Sequence, residues 1–529
     1  MKKATIALLS LVGLLVIAGV VFRFVIGPRL QETGLQRASD APRIKGEVRV
    51  AGDNYFGYWF LTSPEFTKRL RSNGYIIKWV NDGGDYADRH KQFADGNYDV
   101  MVLPVNSYLY HGESHHYPGV ITVALSDSKG ADSIVAYQAK IVGQSSAPVT
   151  VNDLNNPTLK VCFTPDSPSS FLLNTAIVHF DLTHLKNKGP WRVETEEGSH
   201  RAFERFLKHE CDVAVLWEPD VSKALAIPGV VSIYGSDQIS ETIIDVFVVR
   251  RGLTEERSRE VIISFFKAYF DTLAYYSKNR QQMLKEMAKN SAFNSELEVE
   301  NALKRIAWFD LHDNCGEWFG VPLAGVIQSN RQEKISDTIV QVTNIMMEVG
   351  DLTSDPLRGN PYTITNSEPL SRLCAEMSQD SEANIGAIIP AKVLFKPLSD
   401  VEWMQLRSIG TMRVLPILFQ SGAATLTAEG TKTVDQAAIA IVHNFPQYRV
   451  LVKGHTAPSG DEAANLRLSQ ERAEAVKGSL EAVRGIDPNR VRAVGVGSRE
   501  PLLRPPGEGD LSYRSRLARV EFVLLEDQR

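Results

Sequence analysis

Two sets of residues in this sequence have the types and spacing for ligand chemistry. The first lies near the far end, where residues 450–457 lead through Pro458, Ser459 and Gly460 to Asn465, Ser469 and Arg472. The pattern predicts a buried strand, a polar turn and a helix that starts near 464. An arginine on the helix face turned toward the strand end grips a carboxylate through two parallel N–H···O bonds, while Thr456 and Asn465 fix the loop. The competing reading is a solvated helix cation, the ordinary state of an arginine.

The second set follows successive strand-like runs in the first half of the chain: Asp53, Asn54 and Tyr55; Asp82 and Asp85; Asn106; Asp127, Ser128 and Asp132; Thr164, Ser167, Ser169 and Ser170; Trp217 and Glu218. In open parallel sheets ligands sit beyond the carboxyl ends of the strands, which makes these the candidate ligand-binding residues. Ser169 and Ser170 stand at a helix start, where a serine caps the helix as readily as it meets a ligand. Carboxylates beside Tyr55, Phe56, Tyr58 and Trp59 suit an amine-bearing or polyhydroxy ligand. The alternative is that the aromatics are core and the carboxylates cap helices.

No HExxH, Gly-x-Ser-x-Gly or P-loop occurs, so no catalytic residue is assigned and the chain is read as a non-enzyme. His111, His115 and His116 have no neighbouring cysteine and sit among loop residues, so neither a metal nor another cofactor is expected. The four cysteines, Cys162, Cys211, Cys315 and Cys374, lack CxxC spacing. Cys162 with Cys211 is the first pairing to test, because each borders a strand of one sheet, and buried free thiols are the expectation for at least two of the four. A net charge of -5 without a basic block excludes nucleic acid as a partner.

These residues need a scaffold. Periodicity predicts strands near 47–51, 75–80 and 99–103 with helices over 63–72 and from 85, then strands near 159–163, 191–194 and 212–216 with helices over 169–179 and 199–208. Strands alternating with helices imply mostly parallel sheets covered on both faces, hence an α/β fold class with two lobes and a cleft between them. Helices between 255 and about 347 pack behind the lobes.

The string GHTAPSGDEAANLRLSQERAEAV resembles the signature of the OmpA-like peptidoglycan-binding domain, GHTD followed by N, LS and RA at fixed spacing. The resemblance covers about the last quarter of the chain and continues through Arg519, Val520, Glu521 and Phe522. It implies that the residue at 457 and Arg472 hold the diaminopimelate of a peptidoglycan stem peptide, with Thr456 and Asn465 in the same peptidoglycan-binding site. The family's Asp is Ala457 here, and Asp461, four residues on, is the candidate substitute.

The order VRVAGDNYFGYW, YDVMVLPVNSY, VALSDSKGADSIVA, VNDLNNPTLKVCFTPDSPSSFLL, CDVAVLWEPDVSKAL and DVFVVRRG, over residues 45–353, is similar to periplasmic substrate-binding proteins of the nitrate, sulfonate and taurine type of ABC transporter. That implies a two-lobed periplasmic-binding-protein fold, a small polar solute and an ABC permease as partner. The acidic rim argues against bare phosphate as the solute, since phosphate needs basic groups.

Residues 4–22 form an apolar run behind Lys2 and Lys3, long enough to cross a bilayer. An uncleaved inner-membrane anchor is expected, with a cleaved signal peptide as the alternative. The expected organisation is an anchor (1–29), a linker (30–44), a solute-binding domain (45–353), a linker and lead-in (354–406) and an OmpA-like domain (407–529). Strand-like lead-in runs are expected over 386–394 and 412–419, and the OmpA-like domain's first helix over 428–444.

The functional expectation is a single-pass bacterial inner-membrane protein with its bulk in the periplasm, which binds a solute, attaches non-covalently to peptidoglycan, and serves or senses for an ABC-type uptake system. A stator-like envelope scaffold with a vestigial cleft and an enzyme on the binding-protein fold are the alternatives.

Overall fold

The computed structural model describes residues 43–527 apart from 144–147, 240, 290–292, 294, 322–332 and 381–394. The expected membrane segment at 4–22, nearly all of the linker at 30–44 and the lead-in run at 386–394 lie outside the described residues. Among the described residues no helix is long and apolar enough to cross a membrane.

The chain enters the first lobe through β1 (Gly46–Gly52), β2 (Tyr75–Asn81), β3 (Val100–Pro104) and β4 (Gly119–Ser128). It crosses to the second lobe for β5 (Asp132–Tyr137), β6 (Val161–Phe163), β7 (Arg192–Glu194), β8 (Val213–Trp217) and β9 (Val230–Gly235), then returns for β10 (Ile244–Arg250) and β11 (Ile306–Trp308). The first sheet has the order β11-β4-β10-β3-β1-β2 and the second β7-β6-β8-β5-β9. Every residue of β3 and of β8 is buried, as continuous apolar runs covered on both faces require.

The expected mostly parallel sheets prove mixed. β1 runs parallel to β2 and β3, and β6 parallel to β7 and β8, but β10 lies antiparallel between β3 and β4, and β5 lies antiparallel between β8 and β9. The reason is the double crossing: β4 leads out to β5, β9 leads back to β10, and the returning strand inserts beside the one that left.

Residues 354–369, expected as linker, are instead partly folded onto the first lobe. A short turn of helix at Pro361–Ile364 and a helix at Glu368–Asp380 bury Ile364, Leu370 and Leu373, and the Asn366 N–H donates to the Ile121 carbonyl at 2.9 Å. The Asp, Pro, Gly and Asn content marks tight turns rather than loose chain.

The cysteines pair as Cys162–Cys211 and Cys315–Cys374, with Cα separations of 5.8 and 6.1 Å, and no free cysteine remains. The first pair is the one expected from sequence. The second corrects the free-thiol expectation, because packing the helix at Glu368–Asp380 against the turn at Asn314–Trp318 brings two distant residues together.

The C-terminal sheet has the order β12-β15-β13-β14, from β12 (Arg407–Met412), β13 (Arg449–His455), β14 (Val491–Gly497) and β15 (Val520–Glu526). The strand expected over 412–419 is not formed: β12 ends at Met412, and beyond it only an isolated bridge from Phe419 to Leu426 is made. The helices Ala428–His443 and Glu462–Arg484 bury Val434, Ala438 and Ile441, and Ala473, Val476 and Leu480. A Cβ on Gly454 would lie 2.0 Å from the Ser469 carbonyl oxygen, so only glycine lets the second helix approach β13 this closely.

This domain is docked on the second lobe. The Thr411 N–H donates to Asn152 Oδ1 at 2.7 Å, the Arg413 N–H to the His179 carbonyl at 2.6 Å, and the Phe445 ring sits 5.3 Å from His179. The Gln447 side chain donates to the Asp237 carbonyl, in the segment that returns from the second lobe to the first.

Candidate functional site

A cleft of about 450 Å³ opens between the lobes. Asp53, Asn54, Tyr55, Tyr58, Trp59 and Trp79 line it from the first lobe, and His200, Asp220 and Lys223 from the second. The aromatic wall arises where β1 ends and the chain tightens into a short helix, Phe56–Thr62, six of whose residues are buried. The Trp308 indole N–H donates to the Gly57 carbonyl at 2.8 Å and holds this turn in place.

The carboxylates that the sequence assigns to the rim are engaged from within. Asp53 accepts the Tyr55 N–H at 2.8 Å through Oδ1, and Arg89 Nη2 at 2.9 Å and the Tyr86 hydroxyl at 3.2 Å through Oδ2. Arg89, fully buried, also forks onto Asp82, with Nε and Nη2 at 2.6 and 2.5 Å, and donates to the Val102 carbonyl at 2.7 Å. Burial nonetheless leaves the Asp82 carboxyl above its ordinary range, against the pull of Arg89. Asp53 and Asp82 therefore belong to an internal network around Arg89 and do not by themselves favour a cationic ligand.

Asp85 caps the helix at Tyr86–Ala94 by accepting the Asp88 N–H at 2.9 Å. It also lines a second cavity of about 340 Å³ with His111, Thr164, Asp166 and Glu196. Asn106 and Ser107 bond lobe to lobe: Asn106 Nδ2 donates to the Ser167 carbonyl at 3.2 Å and the Ser107 hydroxyl to the Asp166 carbonyl at 2.6 Å. Ser167 caps the helix at Pro168–His179, accepting the N–H groups of Ser169 and Ser170, and Ser170 closes the capping box. For Ser167 and Ser170 the capping role is the one realised. The hydroxyls of Thr164 and Ser169 are buried with no partner among the described residues.

Asp127, Ser128 and Asp132 stand at the hinge rather than at the rim. The Ser128 hydroxyl donates to Asp132 Oδ2 at 2.6 Å and meets the Ser236 hydroxyl at 2.6 Å, which joins the outgoing and returning crossings. Asp127 pairs with Lys129, and burial pushes its carboxyl up to about 6. Burial pushes Asp132 up to about 7. Glu218 is buried and accepts the Ser222 N–H at 3.1 Å and the Ser222 hydroxyl at 2.7 Å. Trp217 lies against Gly84 across the interlobe contact, its ring atoms 3.7 Å from where a Gly84 Cβ would be.

Of the assigned ligand residues, then, Asp53, Asn54 and Tyr55 line the larger cleft and Asp85 and Thr164 the smaller cavity. Sequence reasoning missed Trp79, His200, Asp220 and Lys223. A usable signal was present for the last two, an i, i+3 charge pair at the start of the helix that follows β8.

Closure depends on Gly198, whose φ is +72° and whose Cβ, if present, would lie 2.6 Å from the Gly83 carbonyl oxygen of the opposite lobe. Gly198→Ala is expected to hold the lobes apart and weaken any cleft ligand by about tenfold or more, from strain of order 1–3 kcal/mol. Small-angle scattering checks it, since the variant should keep an expanded radius of gyration when saturated with ligand.

At the C-terminal site, Arg472 Nε donates to the Ala423 carbonyl at 3.1 Å and the guanidinium lies 5.0 Å from the centre of the Phe419 ring. No carboxylate among the described residues is paired with it. Asn465 Nδ2 donates to the Ser459 carbonyl at 2.8 Å, which fixes the turn as expected. The Thr456 N–H donates to the Gly497 carbonyl at 2.9 Å, and its hydroxyl is buried without a partner among the described residues. Asp461 is the N-cap of the helix at Glu462–Arg484, accepting the Ala464 N–H at 2.8 Å, so its carboxylate is already engaged rather than standing in for the one missing at Ala457.

Residues 418–509 match the OmpA family. Among curated proteins, the chain is 35% identical over 109 residues to the probable lipoprotein YiaD of Escherichia coli (20% of this chain, 47% of that protein). It is 31% identical over 86 residues to the peptidoglycan-associated lipoprotein of Brucella melitensis (16% and 50%). The chain thus spans about half the length of these relatives. Among solved structures, the alkanesulfonate-binding protein SsuA of Xanthomonas axonopodis pv. citri, bound to MOPS, aligns over 60% of this chain and 98% of its own, at 13% identity and a TM-score of 0.46. The chain thus joins a two-lobed α/β unit, its two sheets linked by a double crossing, to a docked four-stranded domain within which residues 418–509 match the OmpA family.

Proposed function

We propose that this chain is a cell-envelope solute-binding protein whose two lobes close on a small polar solute while its C-terminal domain attaches non-covalently to peptidoglycan. The observation that carries the reading is the cleft itself: both lobes line it, and the two crossings between the lobes meet at the Ser128–Ser236 contact. Residues 4–22 anchor the chain in the inner membrane, and an ABC-type permease is the natural recipient of the solute. A thermal-shift screen of the full chain tests the first part, because a ligand of the folded state alone raises the melting temperature. Fractionation tests the anchor: a mature N-terminus beginning after Gly27 overturns it.

The peptidoglycan site makes a sharper prediction. Diaminopimelate presents an ammonium and a carboxylate, and Arg472 answers only the carboxylate. A charge-assisted hydrogen bond contributes about 1.5–3 kcal/mol, so Ala457→Asp is expected to strengthen binding to purified sacculi by roughly tenfold to a hundredfold. Arg472→Ala is expected to abolish it. Sedimentation with sacculi reads both, and undiminished binding by Arg472→Ala would sink this assignment.

A further inference from the structure

We infer that the solute of the larger cleft is an uncharged, polyhydroxylated ring compound of the saccharide class; this rests on the reading of that cleft as a solute site. The first ground is charge. Among the described lining residues, both oxygens of Asp53 are bonded, to the Tyr55 N–H, the Tyr86 hydroxyl and the buried Arg89 that it shares with Asp82, and Lys223 is paired with Asp220 at 3.0 Å. His200 Nδ1 also approaches Asp220, at 3.6 Å. An ionic head group entering the cleft meets no carboxylate or ammonium free of a partner and loses its hydration, which is costly, whereas a neutral ligand incurs neither penalty.

The second ground is the surface that remains. Tyr55, Tyr58, Trp59 and Trp79 present aromatic carbon to the cleft, and the C–H face of a sugar ring packs on such carbon where a bare inorganic ion cannot. Polar partners for hydroxyls stand beside them. Lys223 and His200 both approach Asp220 through Oδ1, which leaves Oδ2 to accept from a ligand hydroxyl. Asn54 lines the same wall. The volume of about 450 Å³ falls within the usual range for small-molecule sites.

The experiment titrates the full chain with glucose, maltose and chitobiose as neutral probes, taurine and inorganic phosphate as anions, and spermidine as a cation. The readouts are melting temperature and tryptophan fluorescence, at low and high sodium chloride. The expected result is that a saccharide raises the melting temperature and changes the tryptophan emission, with an affinity unaltered by salt, since screening acts only on charge. Trp79→Leu is expected to weaken that saccharide by about tenfold. If this variant does not fold, the salt independence measured on the natural chain still decides. Binding of taurine, phosphate or spermidine in place of the saccharides, or a saccharide affinity that falls with salt, overturns the ligand class and leaves the solute-binding reading standing. A cooperatively melting protein that none of the probes shifts overturns both.

Discussion

Replacing Arg89 by methionine is expected to lower the stability of the first lobe by about 3–5 kcal/mol, the loss typical when one member of a buried ion-pair network is removed. The side chain is fully buried and makes four hydrogen bonds, to Asp53, twice to Asp82, and to the Val102 carbonyl. Methionine fills much of the same volume but leaves Asp53 and Asp82 without their cation, and the Val102 carbonyl without its donor, at largely buried positions. The cost arises from those stranded groups more than from the lost attraction, which makes the prediction specific. The double variant Arg89→Met with Asp82→Asn is expected to recover part of the loss, because it removes one of the stranded charges. Urea unfolding followed by tryptophan fluorescence provides the check. A single variant within about 1 kcal/mol of the natural protein would show that the pairing described here does not form.

The same network shows where reading the sequence stops. The strand and helix succession was legible because periodicity is a local property: the helix expected over 428–444 is observed at Ala428–His443, and the strand expected over 99–103 at Val100–Pro104. The turn around Asn465 was legible for the same reason, its bond to Ser459 spanning six residues. Asp53 and Asp82 look like ligand carboxylates in the sequence because nothing local reveals that Arg89, 36 residues after Asp53, reaches back to bond both. Likewise Asp127, Ser128 and Asp132 follow a strand as ligand residues do, yet their partner Ser236 arrives more than a hundred residues later and turns them into a hinge. The antiparallel insertion of β10 is equally non-local. Of the site residues that were missed, Trp79 reaches the cleft through the pairing of β1 with β2, while the nearness of His200 and Lys223 to Asp53 depends on how the two lobes face each other, which no spacing encodes.

Reducing the Cys315–Cys374 bridge is expected to destabilise the fold by about 4 kcal/mol, from the loop-closure entropy that a cross-link between residues 59 apart removes from the unfolded chain. The bridge joins the turn at Asn314–Trp318 to the helix at Glu368–Asp380, which buries Leu370 and Leu373. That helix has limited apolar area of its own, so without the bridge it is expected to detach before either lobe unfolds. Cys315→Ser with Cys374→Ser should therefore expose the residues around 361–376 to limited proteolysis while the lobes stay folded. The bridge between Cys162 and Cys211, 49 residues apart, ties neighbouring parallel strands within one sheet. Its loss has a similar entropic size but falls on the second lobe's core, so it should lower that lobe's melting temperature without creating a new cleavage site. Such bridges persist only in an oxidising compartment, which links this measurement to the proposed envelope location. Alkylation of protein isolated from cells and denatured without reductant is expected to label none of the four cysteines, and to label all four after reduction. Two labelled thiols before reduction would remove one bridge, and with it one support for placing this chain outside the cytoplasm.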